Sequence, residues 1–368
     1  MKSTHRRILR DILSAPVAPF REEAMVEVLA TWARRRDLPM ECDPHGNVTI
    51  RYARGSGHAA KWTFLAHMDH PGFVVRRQKG RAVWAQFRGG VRREYFAGEK
   101  VRLFAPEGER TAEITSARRD RSSGFLDVRM VLTCATDVPA GTIGMWDKPV
   151  CRIRKDSITS RALDDLAGVA AVVCAVDDLA SSRAEADVVL LLTRAEVAGF
   201  IGTLAACDSG SVPEGRSIVG LETSKAQPGA KIGDGTVIRI GDRTWTFAPE
   251  LTAHIAAVAA ELERKDRTFR HVRCLMPGGT CESTPLCVWG YPAAALCLPL
   301  GNYHNMSDRG HRIAPERVSV SDFRCLVKLL AALATSPHAP GSARQRLRER
   351  LEGLLERRKK YFQDPVPR

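Results

Sequence analysis

Apolar residues along this chain fall into short uninterrupted runs separated by glycine-rich and charged breaks. Val188–Leu192 reads Val-Val-Leu-Leu-Leu, a run that fits a strand covered on both faces, as in a parallel sheet. Trp62–Ala66, Ser217–Leu221 and Ala293–Leu298 repeat that texture, and Val48–Tyr52 adds a further strand. Helical spacing alternates with these runs. Ile8, Leu9, Ile12 and Leu13 share one face of a helix over residues 4–14, which Pro16 and Pro19 end, since proline cannot continue a helix and restricts the residue before it. A second helix over 21–36 is apolar at Met25, Val28, Leu29 and Trp32, and others are expected over 169–176, 249–265 and 315–334. Strands alternating with helices predict an α/β fold with a mostly parallel central sheet flanked by helices.

Between residues 84 and 156 the pattern changes. Short β-like runs at 82–87, 100–104, 112–116 and 125–132 are broken by Gly, Pro and charged turns, with no long helical period. A small all-β, barrel-like domain over 84–156 is therefore expected as an insertion into an α/β domain made of 1–83 and 157–340. Residues 341–368 form a basic tail in which Leu347, Leu351, Leu354 and Leu355 recur at helical spacing. Lys231–Asp242 is punctuated by isolated glycines and reads as a hairpin or loop.

Composition narrows the function classes. With 368 residues, 44% hydrophobic and 27% charged, the chain is long enough for two globular domains. No apolar run of about 18 residues is present, so no membrane span is expected. The basic N-terminal stretch lacks an apolar core, which argues against a secretory signal. Ten cysteines without C-x-x-C pairs predict reduced thiols in a cytoplasmic protein and speak against a disulfide framework or a cysteine-rich zinc site. The formal net charge of +14 invites a nucleic-acid reading, but the arginines are scattered and no aromatic-interleaved basic module accompanies them. Nucleic acid is not the expected partner.

The candidate chemistry sits where the apolar runs stop. His67, Glu196, Glu222 and His304 each follow one of four strands, and Asp164 opens a helix. Taken singly, each has a bland reading as a polar turn residue, and Asp164 or Asp165 fits a helix N-cap. Taken together, two imidazoles and three carboxylates gather at the carboxyl ends of a parallel sheet, where ligands of open α/β sheets bind. That mixture of N and O donors suits one or two zinc-like or cobalt-like ions. Asp69, two residues after His67, is placed to accept a hydrogen bond from the second ring nitrogen.

At these residues the sequence resembles the glutamyl-aminopeptidase family of co-catalytic metallo-aminopeptidases, which includes the tetrahedral (TET) aminopeptidases. The likeness covers Leu13 to about Leu330, including Ala-His-Met-Asp-His-Pro-Gly at 66–72 and Ser-Arg-Ala-Leu-Asp-Asp-Leu-Ala-Gly at 160–168. The resemblance implies that His67 binds a metal, Asp69 orients it, Asp164 bridges two ions, and Glu222 and His304 complete the ligands. It implies Glu196 as general base, a divalent metal such as zinc or cobalt, peptide substrates and a homo-oligomer. The chain departs from the family pattern Glu-Glu-Val-Gly-x-x-Gly at 196–202. There Val197 occupies the place of a second, ligating Glu, so a second ion loses a protein ligand unless water, Asp165 or Asp308 replaces it. Two alternatives remain beside an aminopeptidase: a silent paralogue serving binding or assembly, and a related carboxypeptidase or deacylase. His70 and Cys281-Glu282 are further departures, at positions where the family commonly has acids.

Overall fold

The computed structural model describes residues 1–55 and 60–363. Its central sheet has eight strands in the spatial order Met40–Cys42, Val48–Arg54, Ala186–Thr193, Lys61–His67, Ser217–Lys225, Ala293–Leu300, Thr236–Gly241 and His271–Leu275. The middle of the sheet is parallel: Lys61–His67 pairs in parallel with both Ala186–Thr193 and Ser217–Lys225, and the latter with Ala293–Leu300. Val48–Arg54 and Thr236–Gly241 join antiparallel on either side. Every residue of Ala293–Leu300 is buried, which is why these strands read as unbroken apolar runs and not as alternating ones.

Two cores sandwich the sheet. Phe64, Ala66, Leu190, Leu192, Val219, Leu221, Leu296 and Leu298 pack on one face against the helices Ser3–Ser14, Leu166–Ser182, Pro249–Lys265 and Val320–Ala334. Leu65, Leu191, Ile218 and Ala293 pack on the other against the short helices Ile201–Ser209 and Ser283–Val288. Leu166–Ser182 is buried almost all round, as expected of an Ala/Val-rich helix lying between a sheet and a further helical layer.

A second, closed barrel of six antiparallel strands is formed by Gly72–Lys79, Ala82–Arg88, Leu126–Leu132, Gly108–Arg119, Lys100–Ala105 and Ile143–Trp146. Closure removes the free strand edges that would otherwise invite association. Phe73, Phe87, Phe96 and Trp146 fill it with aromatic contacts, Phe73 lying 4.8 Å from Phe87 and 4.9 Å from Trp146 between ring centroids. The barrel strands begin at Gly72, ahead of the change in texture at 84. The chain leaves the main sheet directly after His67 and Asp69 and returns through Ser157–Ser160 directly before Asp164. Both connections thus run past the candidate site.

Three local expectations are corrected. Thr236–Gly241 is a strand of the main sheet, not a hairpin or loop; its Thr-Val-Ile-Arg core is fully buried despite the glycines that precede it. The stretch expected to be one helix over 315–334 divides into the strand Glu316–Ser319 and the helix Val320–Ala334, because the Ser319 side chain accepts the Ser321 N–H and caps the helix there. His271–Leu275 adds an edge strand that its weak pattern concealed. The terminal helix Ser342–Arg358 leaves Leu347, Leu351, Leu354 and Leu355 exposed. Among the described residues, no helix is long and apolar enough to cross a membrane.

Candidate metal centre

Strand register brings the site together. Thr193 stands opposite His67 across the parallel pair, and Gly220, two residues before Glu222, pairs with Leu65, two residues before His67. His67, Asp164 and Glu222 each place a donor atom so that all three lie within 4.8 Å of one another, and all three residues are buried. His67 Nε2, Asp164 Oδ1 and Glu222 Oε2 have no hydrogen-bond partner. Three converging unsatisfied polar atoms in an interior are costly unless a cation satisfies them. The set of one imidazole nitrogen and two carboxylate oxygens fits a divalent zinc-like ion.

Hydrogen bonds fix the orientation of each donor. His67 Nδ1 faces the Asp69 carbonyl at 3.1 Å and the Asp69 carboxylate at 3.3 Å; both are acceptors, so Nδ1 carries the proton and Nε2 is left free to ligate. Asp164 turns Oδ1 toward His67 Nε2 at 3.5 Å and Oδ2 toward His304 Nε2 at 3.2 Å. His304 in turn donates from Nδ1 to the Gly90 carbonyl at 3.0 Å, a contact supplied by the loop after the barrel strand Ala82–Arg88. The side of Asp164 facing His67 therefore gathers three protein donors, and the side facing His304 gathers two.

Glu196 lies on a tight turn between the strand Ala186–Thr193 and the helix Ile201–Ser209, its Oε2 3.7 Å from His67 Nε2. Ala195, Gly199 and Phe200 have φ of 52°, 113° and 61°. Asp69 accepts the backbone N–H groups of Glu196 at 2.9 Å and Val197 at 3.2 Å. Gly202 is required by close approach: a Cβ there would lie 2.5 Å from both Arg194 O and Asn47 Oδ1. Val197 offers no ligating atom. Asp165 is occupied as the cap of the helix Leu166–Ser182, accepting the Gly168 N–H at 3.2 Å and the Thr223 hydroxyl at 2.6 Å. Asp308 is exposed and accepts the Asn302 N–H at 3.0 Å, outside the cluster.

The electrostatics are those of a crowded acid cluster. Burial raises Glu196 and Glu222 well above the usual carboxyl range, and the neighbouring carboxylates reinforce the shift. Burial likewise lifts Asp165 to about 8. For Asp164 burial acts upward, but the adjoining His304 and His67 imidazoles outweigh it and hold the group below its ordinary value. Burial disfavours a charged His67, yet Glu196, Asp164 and Asp69 together raise it well above normal.

Several supporting residues are not evident from the sequence. Glu22 is fully buried and accepts the Ala195 N–H at 3.1 Å and Arg194 Nε at 2.7 Å. Asn47 accepts the Arg194 N–H at 3.1 Å and donates to Gly202 O at 3.0 Å. Glu316 accepts the Leu163 and Asp164 N–H groups at 2.6 and 3.1 Å, and His70 Nδ1 lies 2.6 Å from Asp164 O. Only His70 carried a signal, as a departure from the family pattern; Glu22 and Glu316 look like ordinary charges on an amphipathic segment.

A mostly parallel sheet with an inserted barrel, and a buried His/Asp/Glu cluster at the carboxyl ends of its strands, define a mixed α/β scaffold with a candidate metal centre. The sequence pattern of the M42 glutamyl aminopeptidases matches residues 131–317, and this chain belongs to that family of peptide-bond hydrolases. Solved structures share the fold. An aminopeptidase from the archaeon Desulfurococcus kamchatkensis superposes with a TM-score of 0.75 at 18% identity, over 93% of this chain and 97% of its own. A TET aminopeptidase from a marine sediment Thaumarchaeota archaeon gives 0.74 at 15%, over 91% and 96%. The Pyrococcus horikoshii TET1 peptidase, described as assembling into a tetrahedron or a large octahedral shell, gives 0.72 at 18%, over 90% and 99%.

Proposed function

We propose that this chain is a metal-dependent aminopeptidase that removes N-terminal residues from peptides with Glu196 as general base. The observation that carries the reading is the convergence of His67 Nε2, Asp164 Oδ1 and Glu222 Oε2, all without partners, beside the Glu196 carboxylate. His67, Asp164 and Glu222 would hold one divalent ion, zinc or cobalt by donor type. When bound, such an ion supplies Lewis acidity that polarises the scissile carbonyl and makes water more acidic. Asp164 and His304 leave any second ion with two protein donors, since Val197 contributes none.

The protein groups divide the remaining work. Glu196 accepts a proton from the attacking water and passes it to the departing amine, a role suited to a carboxyl whose basicity burial has raised. Asp69 keeps the His67 tautomer and, through the N–H groups of Glu196 and Val197, fixes the base relative to the ligand. The barrel anchors His304 through Gly90. Peptides with free N-termini are the proposed substrates, a cytoplasmic homo-oligomer the proposed setting; the shell-forming relative supports the assembly.

Glu196→Gln preserves size and removes basicity. It should lower kcat about 10²–10⁴-fold while the bound metal content stays that of the wild type. Unchanged turnover would rule out Glu196 as the base. A panel of peptides with free and acetylated N-termini separates this reading from a carboxypeptidase or deacylase, which would accept the blocked set.

A further inference from the structure

Glu282 joins the two ends of the turn that carries Glu196. It is 1% exposed. One of its carboxylate oxygens accepts the Thr193 hydroxyl at 2.5 Å and the Thr203 hydroxyl as well, while its other oxygen has no partner. Thr193 is the last residue of the strand Ala186–Thr193, opposite His67 in register; Thr203 lies in the helix Ile201–Ser209. Between these two threonines run residues 194–202, with Ala195, Gly199 and Phe200 in left-handed backbone conformations.

Backbone hydrogen bonds close this turn, among them Gly202 N–H to Arg194 O at 2.9 Å and Gly199 N–H to Glu196 O at 2.8 Å, and side chains brace it from outside. Glu22, Asn47 and Asp69 hold points along it. Glu282 ties its entry directly to its exit. Burying a carboxylate for two hydroxyl partners is expensive, the more so with its second oxygen unpaired. The carboxylate is better explained by geometry at the site than by stability.

We propose that Glu282 is a positioning residue that clasps Thr193 and Thr203 and thereby holds the Glu196 turn against the His67–Asp164–Glu222 cluster. Its effect on turnover rests on Glu196 being the base; the clasp itself does not.

Hydrogen exchange of the full-length protein, read by mass spectrometry over residues 194–202, tests the clasp without reference to activity. In Glu282→Ala the amides of this segment should exchange at least about tenfold faster, with the other strands of the main sheet unchanged. Glu282→Gln, which keeps an acceptor oxygen for both hydroxyls, should exchange like the wild type. Should Glu282→Ala loosen the whole sheet, Thr193→Val and Thr203→Val decide: faster exchange confined to 194–202 supports the clasp, and wild-type exchange overturns it. On a free peptide substrate, Glu282→Ala should lose about 10–100-fold in kcat with KM within about threefold, and Glu282→Gln should recover most of it. Wild-type exchange at 194–202 in Glu282→Ala overturns the proposal. So does loss of bound metal in that variant, which would make Glu282 a ligand. If Glu196→Gln retains turnover, the base assignment fails while the exchange result still decides the clasp.

Discussion

The Asp69 carboxylate accepts the Glu196 backbone N–H at 2.9 Å while facing His67 Nδ1 at 3.3 Å. One residue therefore serves both groups: its carbonyl, at 3.1 Å, and its carboxylate face the His67 imidazole, and the carboxylate fixes the position of the candidate base. Asp69→Asn keeps one acceptor oxygen but turns an NH2 group toward donors that need acceptors. Turnover measured as kcat/KM should fall about 10–100-fold, with metal affinity weakened in the same range. Wild-type values for both would separate Asp69 from the site.

Val197→Glu probes the asymmetry of Asp164. The carboxylate offers oxygens to both His67 and His304, but only the His67 side gathers three protein donors. A Glu at 197 adds the carboxylate missing from the family pattern. Bound metal, counted by elemental analysis, should rise from about one to about two ions per chain. A count that stays at one would mean that position 197 does not face the second site.

His254 gives a stability signature away from the site. It is fully buried on the helix Pro249–Lys265, neither ring nitrogen has a partner, and it stacks on Trp62 at 5.8 Å. Burial lowers its pKa from 6.5 to about 4. Below pH 6.5 the unfolded chain binds a proton that the folded chain refuses, so stability falls as pH drops from 6.5 toward 4 and this loss is absent above 6.5. The contribution is up to about 3 kcal/mol. Urea denaturation across that range should show a smaller acid loss in His254→Leu than in the wild type; identical slopes would refute it.

The parts of the fold that were legible share one physical trait. Strands such as Val188–Leu192 and Ala293–Leu298 are covered on both faces, which leaves an unbroken apolar signature, and the candidate ligands stand where those runs stop. Thr236–Gly241 was misread because flanking glycines mimic a turn while its pairing partners lie far along the chain. Asp164 and Asp165 were ambiguous for a real reason: one faces the cluster and its neighbour caps the helix, and adjacent identical residues carry no mark of which does which. Glu22, Asn47 and Glu316 bind backbone N–H groups or peptide oxygens of the site loops. That depends on tertiary approach, and in sequence they are indistinguishable from solvated side chains.

The most direct test is to count and locate the ion. Protein purified without chelator and supplied with zinc or cobalt should bind about one equivalent. Anomalous diffraction should place a single strong peak among His67 Nε2, Asp164 Oδ1 and Glu222 Oε2, the three buried donors without partners. A metal-free centre under those conditions, or an ion bound elsewhere, would contradict the account.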